Sequence, residues 1–279
     1  MKKISRRSFL AAAAVSAAAL ALTACGGSAS TASSVASSAA ASSEAASTSA
    51  AAGELTTVEA GKLTMATNAT FPPYEMTTDA GDIEGIDVET AQAIADKLGL
   101  ELQIDDMDFD AALLSVQQGK ADIVMAGVTV TDERKAVMDF SDSYATGIQS
   151  IIVPEGSDIA SPDDLAGKKI GTQRGTTGYI YCSDDFGDDA VVAYDNGLTA
   201  VQALNNGQVD AVVIDNAPAK EYVAANPGLV LLDTSYAEED YAIGMAKGSS
   251  LEAAVNAALE ELKADGTLQS IVDKYITAE

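Results

Sequence analysis

AALLSVQQGKADIVMAG, residues 111–127, and TAVQALNNGQVDAVVID, residues 199–215, repeat one pattern at a constant offset of 88. Gly119 matches Gly207, Asp122 matches Asp210, and Ile123-Val124-Met125 matches Ala211-Val212-Val213. Each copy reads as a helix, a glycine stop and a short apolar run of the kind that forms a strand buried on both faces. Their recurrence in the two halves predicts an α/β chain of two similar lobes facing one cleft. Gly127 and Asp215 close the two strands at equivalent places, the carboxyl ends where open α/β sheets bind ligands.

The flanking segments extend the alternation. Residues 62–66 read as a strand, followed by a loop with a Pro72-Pro73 turn. Asp87 can cap a helix whose apolar positions are Val88, Ala91, Ile94, Ala95 and Leu98, and Gly99 ends it. Residues 100–104 return as a strand. In the second half, residues 161–165 form a capped short helix with Pro162 in its first turn, and residues 168–172 a strand. Arg174-Gly175-Thr176-Thr177-Gly178 then opens the helix that carries Tyr179 and Tyr181; its small and hydroxyl residues leave N–H groups free at a helix N-terminus, which favours an anion.

The ends of the chain say where it works. Lys2, Lys3, Arg6 and Arg7 precede a 13-residue Ala/Leu-rich run, the pattern of an export signal and too short to span a bilayer. Residues 1–24 are therefore expected as a signal peptide. Leu22-Thr23-Ala24-Cys25 looks like a bacterial lipobox, with Cys25 as the lipid-bearing mature N-terminus, and residues 5–10 resemble a twin-arginine export motif. Residues 25–55, almost all Ala, Ser and Thr, cannot bury a core and are expected as a lipidated tether. Cys182 is the only other cysteine, so an intrachain disulfide is excluded and a buried structural thiol is expected.

Charge and composition narrow the function. Without the leader, 12 basic residues face 42 acidic ones, a net charge of −30, which argues against nucleic acid or anionic lipid as a partner. There is no histidine, and the acidic clusters at residues 105–110 and 184–189 lack EF-hand spacing, so they read as solvated loop charge, with no metal. Only four arginines are present, two of them in the leader, which leaves Arg134 and Arg174. Arg134 ends the stretch Ala126-Gly127-Val128-Thr129-Val130-Thr131-Asp132-Glu133-Arg134, and guanidinium is the fork that grips a carboxylate with two parallel hydrogen bonds. Alone, Arg134 could equally be a surface ion pair with Asp132 or Asp139, and Asp215 a helix-capping carboxylate. One cation and one anion on opposite lobes match a zwitterion.

These residues resemble the polar amino-acid-binding receptors of ABC importers, extracytoplasmic solute-binding proteins of family 3 with the type II two-lobed fold. The similarity is carried in order by residues 67–74, 85–89, 108–111, 126–134, 140–142 and 175–177 and by Asp215. It implies a Venus-flytrap α/β fold with two crossover hinge strands near residues 149–153 and 239–244. Lobe 1 would comprise residues 56–148 plus 243–279 and lobe 2 residues 149–242. It also implies that Arg134 holds a ligand α-carboxylate with the N–H groups of Thr129 and Thr177. Asp215 would pair with the α-ammonium, aided by the Gly127 carbonyl and the Thr129 hydroxyl, and Phe71 and Phe109 would sandwich the side chain. Arg174 would lie at the rim.

Members that bind basic amino acids commonly carry Asp where Asn68 stands and Ser where Ala126 stands. The amide of Asn68 both donates and accepts, which moves a neutral polar ligand, glutamine or cystine, ahead of lysine or arginine. The expected protein is thus a monomeric lipoprotein, extracytoplasmic and anchored to the membrane by its lipid alone. Its partners would be an amino acid, an ABC permease and the ATPase, with no cofactor and no catalysis. A dehydratase-like enzyme on the same scaffold, with Asp215 as general acid, and a ligand-sensing module of a membrane signalling protein are the alternatives.

Overall fold

The structure is a computed structural model that describes residues 55–276. The expected signal peptide, Cys25 and the tether up to residue 54 lie outside the described residues. The first half runs β1 (Lys62–Thr67), β2 (Thr70–Phe71), β3 (Glu75–Thr77), β4 (Ile83–Glu84), α1 (Ile86–Leu98), β5 (Glu101–Asp106), α2 (Phe109–Gln117), β6 (Ile123–Val124), α3 (Asp132–Val137), β7 (Met138–Phe140) and β8 (Ala145–Pro154). The second runs β9 (Ile170–Gln173), α4 (Thr177–Phe186), β10 (Val191–Tyr194), α5 (Gly197–Asn205), β11 (Ala211–Asp215), α6 (Asn216–Ala225) and β12 (Leu229–Leu231). The chain closes with β13 (Ala237–Tyr241), β14 (Gly244–Ala246), α7 (Glu252–Ala264) and α8 (Thr267–Tyr275).

Two mixed sheets form the two lobes, in the orders β5-β1-β6-β14-β7 and β10-β9-β11-β8-β12. In each, the first three strands are parallel and the fourth runs antiparallel to the third. Both sheets are covered on both faces, and the alternation along their central strands assigns each side chain to a layer. Val212 and Ile214 of β11 pack with Val201 and Leu204, while Ala211 and Val213 pack with Ile170 and Cys182 on the other face. Likewise Ile123 joins the layer of Met65, Ile94 and Leu259, while Val124 joins that of Leu113 and Val116.

The repeat is physical as well as textual. Gly119 and Gly207 both stop their helices at positive φ, 65° and 67°. The next residues, Lys120 and Gln208, donate back to Ser115 O and Ala203 O at 2.9 Å in both copies. Asp122 and Asp210 then brace the neighbouring parallel strand, accepting from Thr64 N at 2.8 Å and from Lys169 N at 2.7 Å. The strand that opens each lobe is thus pinned by the acid that opens its partner.

One detail departs from expectation. Asp87 does not cap α1: the N-cap is Gly85, and Asp87 is fully buried in the first turn, accepting from Gly127 N at 3.0 Å and Tyr144 Oη at 2.7 Å. The capped short helix expected at residues 161–165 is present as a 3₁₀ turn with Pro162 at its start, closed by the Ser161 N–H and hydroxyl, which both donate to Asp164 Oδ2. β8 pairs with β13 from Ala145↔Tyr241 to Gln149↔Ala237, and only then joins β11 and β12.

Candidate ligand-binding cleft

All eight predicted positions, Asn68, Phe71, Phe109, Gly127, Thr129, Arg134, Thr177 and Asp215, border one cavity between the two sheets. Arg134 is set in place by Thr131, whose hydroxyl accepts the Arg134 N–H at 3.2 Å as the cap of α3. Arg134 is 8 % exposed, and its guanidinium lies 5.4 Å over the Phe109 ring. Its Nη1 donates to Thr129 O at 2.7 Å and its Nη2 to Gly175 O at 3.1 Å. Asp139, the ion-pair partner that a surface role allowed, is taken by Lys247 instead. Two carbonyls orient the guanidinium plane, and while burial disfavours its charge, the carboxylate of Glu239 favours it.

The backbone around Thr129 is equally constrained. Val130 N donates to Asp240 O and Ala242 N to Val128 O, so Thr129 and Tyr241 face each other as a non-hydrogen-bonded antiparallel pair. The Thr129 N–H therefore turns away from that strand. Thr177 is the first residue of α4, behind the capping Thr176, where a first-turn N–H has no partner within the helix.

Asp215, 2 % exposed, ends β11 and caps α6: Oδ1 accepts from Ala217 N at 3.1 Å and Oδ2 from Ile148 N at 2.6 Å. Burial pushes its carboxyl up to about 6, against the pull of hydrogen bonds from Tyr241, Ala217 and Ile148. The capping role open to it from sequence is thus real, and it coexists with a position on the cavity wall, since a carboxylate has lone pairs to spare. Asp87, also raised to about 6 by burial, holds the Gly127 N–H at the opposite wall. Gly127 itself needs φ 55°, and a Cβ there would stand 2.9 Å from Phe71 Cε1 and 3.1 Å from Tyr241 Cε2.

Asn68 borders the cavity with its amide already engaged: Nδ2 donates to Met107 O at 2.9 Å, and Oδ1 accepts from Thr70 Oγ1 and, across the cleft, Gln173 Nε2. Its carbonyl oxygen is thus taken up by the protein, as is one of its two N–H donors. Phe109 packs with Ala112, Leu113 and Val116 as well as under Arg134, and Phe71 stacks on Tyr74 at 6.0 Å. Arg174 is exposed and reaches only Asp195, at 3.5 Å. Cys182 is buried, which pushes its thiol up to about 12. Among the described residues no cluster of acids or cysteine could hold a metal ion.

Two carboxyls in the site were not legible beforehand. Glu239 Oε2 accepts from Thr129 Oγ1 at 3.1 Å, Thr177 Oγ1 at 2.9 Å and Gln149 Nε2 at 3.0 Å, which ties both walls to the strand between the lobes. It sits in the run Glu238-Glu239-Asp240 of β13, where exposed 238 and 240 alternate with buried 239 and 241. Glu75, fully buried on β3, also lines the cavity.

The chain matches the description "Bacterial extracellular solute-binding proteins, family 3" over residues 63–278. It is 35 % identical over 224 residues to a probable histidine-binding protein of Neisseria gonorrhoeae, covering 77 % of this chain and 83 % of that one. It is 34 % identical over 226 residues to the L-cystine-binding protein TcyJ of Escherichia coli K12, covering 79 % and 85 %. Among solved structures, an ancestral arginine-binding protein bound to glutamine superposes with a TM-score of 0.75 at 42 % identity, covering 78 % of this chain and 99 % of that one.

Proposed function

We propose, for a chain that belongs to the bacterial extracellular solute-binding proteins of family 3, that it captures an L-amino acid between its lobes and delivers it to an ABC importer. The family and the relatives are solute-binding transport proteins and not enzymes, which removes the dehydratase alternative. One observation carries the reading: a buried guanidinium, Arg134, hydrogen-bonded to two carbonyls, and a buried carboxyl, Asp215, border the same cavity from opposite lobes. A zwitterion supplies the complement to each.

Arg134, with the N–H groups of Thr129 and Thr177, receives the α-carboxylate. Asp215 and the Gly127 carbonyl receive the α-ammonium, and Phe71 and Phe109 flank the side chain. The lobes are residues 56–148 with 243–279 and residues 149–242, and they close about β8 and β13. Such closure is driven by contacts available only when both walls meet the ligand. The ligand is a polar one, glutamine or cystine, in keeping with the ligands named for TcyJ and for the glutamine-bound ancestral structure. Cys25 carries the lipid that holds the protein outside the cell membrane. The protein works as a monomer against a permease powered by its ATPase.

Calorimetric titration of the unfolded and refolded protein with the common amino acids and cystine tests this. One saturable amino acid is the expected result. Binding of none of them overturns the reading.

A further inference from the structure

Tyr241 lies on β13, which pairs with β8, and is 1 % exposed, yet it borders the cavity. Its backbone is held from the first half of the chain: Tyr144 N donates to Tyr241 O at 2.9 Å, and the adjacent Ala242 N to Val128 O at 3.1 Å. Its hydroxyl reaches the second half and donates to Asp215 at the end of β11. Room for that bond comes from Gly147 on β8, where a Cβ would stand 2.5 Å from Tyr241 Cζ and 2.7 Å from its Oη; the next residue, Ile148, gives its own N–H to Asp215 Oδ2 at 2.6 Å. The ring is held as well. It meets Tyr74 edge-on, with centroids 5.3 Å apart and planes at 70°, and a Cβ on Gly127 would stand 3.1 Å from Tyr241 Cε2. Both acceptors assigned to the ammonium, Asp215 and the Gly127 carbonyl, therefore rest against this one side chain. Of the three donors to Asp215, the N–H groups of Ala217 and Ile148 belong to the backbone, and the phenol is the one side chain. The charge of Glu239 on the same strand opposes ionisation of Asp215, as burial does, and Tyr74 feels the Asp215 charge in turn.

We propose that Tyr241 is a positioning residue of the ammonium site: its O–H keeps the Asp215 carboxylate ionised and aimed at the cavity, and its ring braces Gly127 opposite. The proposal rests on the reading of the cleft as an amino-acid site. A hydrogen bond from a neutral phenol favours the carboxylate over the carboxyl, because the charged form gains most from an O–H donor. It does so without offering a cation that would compete with the ligand's ammonium, as a lysine or arginine in the same place would. A buried acid without such a donor stays protonated further up the pH scale and cannot pair with an ammonium there.

The test begins with carbon-13 NMR of the carboxyl groups in the ligand-free, refolded protein, titrated through the window around pH 6 in which Asp215 ionises. Asp215→Asn assigns its signal. Tyr241→Phe is expected to move the Asp215 midpoint up by about one pH unit or more, the scale of one hydrogen bond to a charged group. Fluorotyrosine in place of Tyr241, a stronger O–H donor, should move it down. Calorimetry with L-glutamine, L-arginine and L-cystine then reads the consequence: Tyr241→Phe should weaken binding about fivefold at the wild-type midpoint, and the loss should shrink as pH rises. A packing role alone would lower affinity by one factor at every pH. A midpoint that stays in place in both variants, or a loss independent of pH, overturns the proposal while leaving capture intact; should Tyr241→Phe not fold, the fluorotyrosine midpoint decides alone. Failure of the wild type to bind any common amino acid or cystine overturns capture itself.

Discussion

Arg134 Nη2 donates to the carbonyl of Gly175 at 3.1 Å, so a guanidinium that springs from α3 in one lobe ends on the loop ahead of α4 in the other. Because Nη1 is fixed on Thr129 O at the same time, the plane of the fork is set by two carbonyls from opposite walls. Lysine offers a point charge and no plane. Arg134→Lys is therefore expected to lose about tenfold or more in ligand affinity despite keeping its charge, and Arg134→Ala about 2–5 kcal/mol, the usual cost of breaking a desolvated charge pair. Titration calorimetry checks both. Wild-type affinity in either variant contradicts the carboxylate assignment.

Asp215 has two duties that one substitution separates. Asparagine is as good a helix cap as aspartate, so Asp215→Asn should keep the Ala217 contact, but its amide nitrogen then faces the Ile148 N–H, a lost hydrogen bond that costs about 1–3 kcal/mol. It removes the negative charge, so it should weaken L-amino acids by far more than the same carboxylates lacking the amine. Equal losses for the two ligand types would show that Asp215 serves α6 and not the ammonium.

The sheets were legible because their strands are buried on both faces, and a run such as Ala211-Val212-Val213-Ile214 announces that without any tertiary information. The repeated acid at Asp122 and Asp210 was visible for the same reason, although its bonds to Thr64 and Lys169 were not. Arg134 and Asp215 stood out through scarcity and through strand-end position. Glu75 and Glu239 did not, since an acid in a loop-like or acidic context looks solvated until the fold shows which wall it joins. Asp87 misled for a related reason: a capping residue type at a helix start was read locally, while its real partners, Gly127 and Tyr144, lie 40 and 57 residues away. Gly85 could take the cap position because φ 138° suits glycine.

That glycine gives a stability prediction. A Cβ on Gly85 would stand 2.2 Å from Tyr74 O and 2.5 Å from Tyr74 C, backbone atoms that cannot swing aside. Gly85→Ala should cost at least about 2 kcal/mol, combining a disfavoured φ with an overpacked contact, whereas Gly99→Ala at φ 69° meets nothing within 4 Å and should cost less. Thermal melts of the two variants decide it, and a Gly85→Ala protein as stable as Gly99→Ala would show that the strand pair β3–β4 can yield.

The buried acids make a signed prediction about pH. Asp87 and Asp215 titrate near 6 in the folded chain, chiefly through burial, against about 3.9 when unfolded. Between those values the folded state holds more protons than the unfolded one, so ∂ΔG/∂pH from these groups is negative. Their contribution is present below about pH 4 and lost as pH rises through about 6. Acids nearer the surface, such as half-buried Asp139 and exposed Asp158, lowered by Lys247 and Lys168, act in the opposite sense, so the useful measure is a difference. The melting temperature of the ligand-free wild type minus that of Asp215→Asn should fall across this window and level off above it. An amino acid whose ammonium pairs with Asp215 stabilises the charged form, so saturating ligand should flatten the curve, and its affinity should rise as pH climbs through 6. A flat or rising difference in the ligand-free protein would mean that Asp215 is not held up by burial.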